Sequence, residues 1–312
     1  MPVALWIVIA AVIVLILCTS YITYRIAFYS PKANQNDIHK LPPGEQYEAQ
    51  KDVMLALIDA LAPVPFEPVS ITSRDGLRLT GRYYHVAEGA PLDIGFHGYR
   101  GTAVRDYCGV SMISLKNGRN LLLVDQRAHS GSQGHTITFG VKERYDCLDW
   151  CRWAVNRFGE DVSIYLSGVS MGAATVLMAS ELDLPKNVRC IIADSPYTTP
   201  LAIIRKVCRD LHLPAWLLMP FTRLGAVLFG GFRPAAASAP EAVAHTSIPI
   251  LLIHGEDDRF VPCQMSEVIR SACASPVEHQ TFSGAGHGLS YLRDKPRYIA
   301  MVLDFWARCA GP

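Results

Sequence analysis

The chain reads as an α/β protein whose mostly parallel sheet is covered by helices on both faces. Three observations predict this class. Short apolar runs, suited to strands buried on both sides, alternate with stretches of helical period. The series opens with two strand-like runs split by Asp75-Gly76, a hairpin signal that adds an antiparallel edge. Finally, Ser170 stands between Gly168 and Gly172 at the point where one apolar run passes into a helical stretch.

Taken in order, the first element is an apolar run from Val3 to Cys18 with no charged or strongly polar residue, continuing with little polarity to Tyr24. Its length suits a membrane-spanning helix of ~20 residues. No Lys or Arg precedes it, and its exit at Tyr21-Ile22-Thr23-Tyr24 is bulky, so an uncleaved anchor over residues 1–29 fits better than a signal peptide. Trp6, Tyr21 and Tyr24 stand near its ends, where aromatic belts form. Arg25, Lys32 and Lys40 all follow it, which favours a cytoplasmic position for the remainder.

Residues 30–65 are expected to form a linker and a packing helix. Ser30 to Pro43 is polar with turn residues, whereas Tyr47 to Leu61 carries Val53, Leu57 and Leu61 at spacing four. Removal of residues 1–29 is accordingly expected to leave a soluble, active domain. The hairpin runs through VSITSRDGLRLTGRYYH, residues 69–85. Strands are expected at Ile94–His97, Leu121–Asp125, Val162–Leu166, Cys190–Asp194, Ile250–His254 and Val277–Phe282, with a helix over Glu143–Phe158. They make residues 66–312 one catalytic-sized domain.

Composition narrows the function classes. A formal charge of +1 with scattered Arg and Lys gives no footprint for nucleic acid. Nine cysteines without a C-x-x-C pair fit reduced thiols, and Cys147 and Cys151 read as small buried hydrophobes on one helix face. There is no H-E-x-x-H and no G-x-x-x-x-G-K, so neither a metal nor a nucleotide cofactor is expected.

In sheets of this kind chemistry gathers at the carboxyl ends of the strands. Those ends carry His97-Gly98, Asp125-Gln126-Arg127, Ser167 to Gly172, Asp194-Ser195, His254 to Asp258 and Gly284 to Gly288. The glycines around Ser170 fit either turn punctuation or a nucleophile elbow, and only the partners separate the two. Ser170, Asp258 and His287 come in the chain order that a serine triad takes on such a sheet.

Five strings then carry a resemblance: HGYRG at 97–101, DQRAHSGSQG at 125–134, GVSMG at 168–172, HGEDDRFVP at 254–262 and GAGHG at 284–288. Together they resemble the α/β-hydrolase superfamily, in its compact esterase-like and prolyl-oligopeptidase-like branch, from about Phe66 to the C-terminus. One departure is Ala128 and Ser130, which stand where the superfamily's D-x-R-G-H-G-x-S loop carries glycines.

The resemblance implies the α/β-hydrolase fold with Ser170 as nucleophile, His287 as general base and Asp258 as the acid that orients it, Asp194 being the rival acid. It also implies an oxyanion hole from the backbone N–H groups of Tyr99 and Met171. His97 and His254 read as loop-shaping residues, and Tyr197 as either pocket lining or packing. In this architecture an insertion after the strand ending at Asp194 usually covers the serine, so 196–244, with its apolar stretch Leu201 to Phe232, is expected to be a small helical cap, the alternative being ordinary helices packed on the sheet. The implied activity is cleavage of a small-molecule acyl ester or thioester, with preference for a lipophilic acyl chain. A peptidase for small peptides and a non-catalytic binding protein on the same fold are the alternatives.

Overall fold

The computed structural model describes residues 3–31 and 37–310. Lys32, one of the cations used to orient the N-terminal helix, lies outside the described residues, as do the neighbouring linker positions.

One eight-stranded sheet runs in the order β1-β2-β4-β3-β5-β6-β7-β8. The strands are β1 (Glu67–Thr72), β2 (Arg78–Tyr84), β3 (Leu92–Phe96), β4 (Asn120–Val124), β5 (Ile164–Val169), β6 (Val188–Asp194), β7 (Ile250–Gly255) and β8 (Val277–Phe282). The β1–β2 and β2–β4 pairs are antiparallel and the others parallel, as the Asp75-Gly76 hairpin and the strand-helix alternation predict. β3, β4 and β7 are buried at every position, as strands covered on both faces are. Helix Glu143–Phe158 has the bounds that its period predicts. The expected helix over Tyr47–Leu61 is instead two, Glu45–Glu48 and Lys51–Leu61.

The N-terminal helix, Val3–Ala27, is the one described helix long and apolar enough to cross a membrane. Its end is not a detachable tether. Phe28 is fully buried, edge-on to Phe139 at 5.8 Å and to Phe232 at 5.1 Å. The Tyr24 hydroxyl lies 2.8 Å from Thr136 Oγ1, Ser30 N–H donates to the His135 carbonyl, and Ile137 N–H donates to that of Phe28. The expectation of a free domain behind a polar linker is therefore corrected. Large apolar groups at 24 and 28 bury into the catalytic domain, and the polar stretch begins only after that join.

A second correction concerns residues 196–244. They form helices Pro200–Asp210, Ala215–Leu228 and Ala239–Val243, but not a lid over Ser170. Ala215–Leu228 packs on the N-terminal helix so closely that a Cβ on Gly225 would lie 2.2 Å from the Ser20 carbonyl oxygen. An apolar helix needs an apolar partner, and the N-terminal helix supplies one.

Truncating Phe28 to Ala is expected to destabilise the domain by ~3–5 kcal/mol, the cost of emptying a buried aromatic site. Thermal unfolding of the full chain in detergent reads this. An unchanged midpoint would mean that the helix end is not part of the core.

Candidate active site

Ser170 follows β5 and precedes helix Met171–Ala179. Its backbone sits at φ 56° and ψ −114°, outside the regions that L-residues favour. Two glycines make this turn possible. A Cβ on Gly168 would lie 2.2 Å from the Gly172 carbonyl carbon, and one on Gly172 would lie 1.8 Å from the Phe96 oxygen. Neither position has room for a side chain, so the nucleophile-elbow reading of the glycines fits and simple punctuation does not. The Ser170 N–H donates to the Asp194 carbonyl at 2.8 Å, which ties the turn to the neighbouring strand.

His287, in the loop after β8, brings Nε2 to 2.8 Å from Ser170 Oγ. Its Nδ1 lies 2.6 Å from Asp258 Oδ2. A carboxylate only accepts, so Nδ1 carries the proton, Nε2 is the acceptor, and the Ser170 hydroxyl donates to it. Asp258 follows β7, and its Oδ1 accepts N–H bonds from Phe260 at 2.9 Å and Val261 at 2.8 Å. Burial opposes the charge on Asp258, but His287, His254 and the Val261 N–H outweigh it and hold the carboxyl well below its usual range. The Phe260 ring packs at a steep angle against the imidazole, with centroids 5.1 Å apart.

Asp194, the rival acid, is bound elsewhere. Ser195 Oγ donates to its Oδ1 at 2.9 Å and the Tyr298 hydroxyl to its Oδ2 at 3.2 Å. Burial dominates there and pushes its pKa up to about 6. Asp257 is exposed and uses its N–H on the Ala285 carbonyl.

Met171 opens its helix, where first-turn N–H groups have no acceptor within the helix. Tyr99 lies in the loop after β3, pinned on both sides: Gly98 N–H donates to Asp106 Oδ2 at 2.8 Å, and Arg100 N–H to His129 Nε2 at 3.0 Å. Both N–H groups thus belong to segments adjoining Ser170, as an oxyanion hole requires. His97 and His254 shape loops, His97 bridging the Gly98 carbonyl and the Gln126 N–H, and His254 lying 2.8 Å from the Val261 carbonyl. Ala128 and Ser130 keep positive φ, 64° and 41°, so the loop retains the left-handed backbone without the glycines. Tyr197 is buried against Phe139 and does not line the cavity.

The cavity over Ser170 encloses about 650 Å³. Its roof comes from residues 40–57, with Leu41, Pro43, Tyr47, Met54 and Leu57 among the lining. None of residues 196–244 contributes. The roof also holds the histidine loop: the Tyr47 hydroxyl donates to the His287 carbonyl at 3.0 Å, and Gln46 Oε1 accepts the His287 N–H at 3.2 Å. Sequence reasoning missed Gln46, Tyr47, Asp106 and His129. Gln46 and Tyr47 carried no signal, since an amphipathic helix 240 positions from His287 looks like packing. His129 lies within DQRAHSGSQG, where the sequence marks only a loop.

A model of the prolyl oligopeptidase family matches residues 136–312, more than half of the chain, Ser170, Asp258 and His287 included. The chain belongs to this family. It is 27% identical to the uncharacterized protein YqkD of Bacillus subtilis over 61% of this chain and 63% of that one. It is also 24% identical to the Danio rerio lysophosphatidylserine lipase ABHD12, over 69% of this chain and 58% of the fish protein. The chain thus spans less than two thirds of either relative. Among solved structures, an esterase of Pyrococcus furiosus superposes with TM-score 0.64 at 23% identity, covering 87% of this chain and 97% of that one. The fold is the α/β-hydrolase fold.

The raised pKa of Asp194 has a stability consequence. The folded state binds this proton more tightly than the unfolded chain, whose Asp titrates near ~3.9. Its contribution is therefore complete below ~pH 4 and is lost as pH rises through about 6. Asp194→Asn removes that dependence, so its stability relative to wild type is expected to rise by up to ~3 kcal/mol between pH 4 and pH 7. Paired unfolding curves across this range measure the difference, and a constant gap would contradict an elevated pKa.

Proposed function

We propose that the chain is a membrane-anchored serine hydrolase that cleaves carboxylic esters or thioesters through an acyl-enzyme on Ser170. The observation that carries this reading is the continuous line Asp258–His287–Ser170, with both hydrogen bonds at 2.8 Å or less. The Ser170 hydroxyl passes its proton to His287 Nε2 as Oγ bonds to the substrate carbonyl carbon. Negative charge then develops on the carbonyl oxygen, beside the Tyr99 and Met171 N–H groups. Collapse of the intermediate expels the alcohol or thiol, which takes the proton from the imidazolium. Water repeats the sequence, with His287 again accepting the proton, and releases the carboxylic acid. Asp258, denied protonation by its environment, keeps Nδ1–H in place and balances the imidazolium.

Ester rather than peptide cleavage is supported by the roofed cavity, whose Leu41, Pro43, Met54 and Leu57 suit an acyl chain better than a charged peptide. The lipase named among the relatives supports the same substrate class. The family's name favours peptides as the second reading. The apolar N-terminal helix supports an anchor, and Arg25 and Lys40 after it support a cytoplasmic catalytic domain.

A fluorophosphonate probe is expected to label wild type at Ser170 and to leave Ser170→Ala unlabelled. A membrane-impermeant version is expected to react only once cells are opened. Absence of labelling in wild type would support the non-catalytic alternative. Asp258→Asn is expected to lower kcat by ~10⁴ and Asp194→Asn far less; the reverse order would move the acid to β6. On matched acyl groups, ester turnover is expected to exceed amide turnover, and a faster amide would establish the peptidase.

A further inference from the structure

Helix Ala215–Leu228 has two apolar sides, and only one is accounted for. Met219, Thr222, Gly225 and Ala226 are buried against the domain and the N-terminal helix. The outer side and its flanks leave Trp216 81%, Leu211 62% and Leu228 52% exposed, with Leu213, Leu217 and Val227 also exposed. Among the other described residues beyond the N-terminal helix, exposed large apolar residues such as Val53, Val86 and Val268 are far apart in sequence. A run of this kind within about twenty positions marks an interaction surface rather than ordinary exposure.

What covers it follows from its neighbour. Phe229 packs edge-on to Tyr21 at 5.1 Å and lies 6.0 Å from Tyr24, so the outer side continues directly onto the exposed Leu17, Tyr21 and Ile22 of the N-terminal helix. If lipid surrounds one surface, it meets the other. The shorter helix, at ~21 Å, cannot span ~30 Å of hydrocarbon. Arg205, Arg209, His212 and Arg223 are exposed on or just before it, where headgroup phosphates would meet them. Trp216 has the amphipathic ring that favours this zone.

We propose that Ala215–Leu228 and its flanks form a second membrane contact, seated in the leaflet beside the N-terminal helix. The contact fixes the tilt, relative to the bilayer, of the N-terminal helix together with the domain packed on it. It also aims the cavity. The Tyr99 hydroxyl donates to the Ala27 carbonyl at 2.9 Å, and Arg100 Nη2 donates to the Ile26 and Tyr29 carbonyls at 3.0 Å each. Tyr99, Arg100 and Pro31 all line the cavity, so its wall begins where the N-terminal helix ends. Resting on the proposed hydrolase activity, this arrangement implies that acyl esters enter from the bilayer.

The test uses the full chain in phosphatidylcholine vesicles carrying bromine on the upper acyl chain. In a Trp6→Phe background, emission due to Trp216 is obtained by subtracting the Trp6→Phe/Trp216→Phe variant. Lipid bromines are expected to quench about half or more of it, as for a ring at the headgroup–acyl boundary. Trp216 emission untouched by bromolipid yet quenched by aqueous iodide would overturn the contact, as would loss of both in a crosslinked dimer, which would assign the face to a second copy. The delivery arm compares Trp216→Glu/Leu228→Glu with wild type. Turnover of a bilayer-embedded ester is expected to fall ~10-fold or more while that of a short water-soluble ester holds. Equal turnover of the embedded ester would overturn bilayer entry. An enzyme inactive on both esters before mutation would refute the hydrolase reading alone, because the quenching result stands apart from activity.

Discussion

Everything at the catalytic edge depends on how closely one helix approaches one strand. The Phe96 carbonyl sits where a side chain on Gly172 would begin. That contact forces the β5 chain to reverse within one residue, and the residue at the apex takes a φ of 56°. A relaxed turn would lay Ser170 along the sheet, out of reach of the β8 loop. The strained one lifts its hydroxyl to the imidazole. The strain is borne by a sheet whose central strands are buried throughout and cannot yield.

Two buried carboxylates on adjacent strands show how environment rather than residue type selects the acid. Asp258 accepts two backbone N–H bonds and faces His287, so its charged form is the stable one even out of water. Asp194 accepts only two hydroxyl bonds, too few to replace its hydration, and it holds a proton to about pH 6. The same group at 194 therefore serves as a buried hydrogen-bonding post, while 258 holds its charge beside His287.

The N-terminal third of the chain is part of the site as much as it is an approach to it. Phe28 plugs the core, residues 40–57 roof the cavity, and Gln46 with Tyr47 holds the N–H and the carbonyl of His287. The apolar insertion after β6, free of any duty over the serine, lies against the N-terminal helix. Residues 40–57, and not the insertion, line the cavity over Ser170, while the insertion packs on the N-terminal helix.

The sequence by itself determined the sheet, the edge on which the candidate site forms, and Ser170 and His287 as two of the residues that meet there. These are local matters: apolar period sets strands and helices, Gly168 and Gly172 set the turn, and chain order along a parallel sheet puts loop after loop on the same side. It also marked Ala128 and Ser130 as departures, although not that the backbone would keep its left-handed shape without glycine. Only the tertiary structure decided which acid faces His287, what roofs the cavity and what the apolar insertion covers. Each of those depends on contacts between segments tens to hundreds of positions apart, where desolvation and packing are set by the partner, and no single segment records who its partner is.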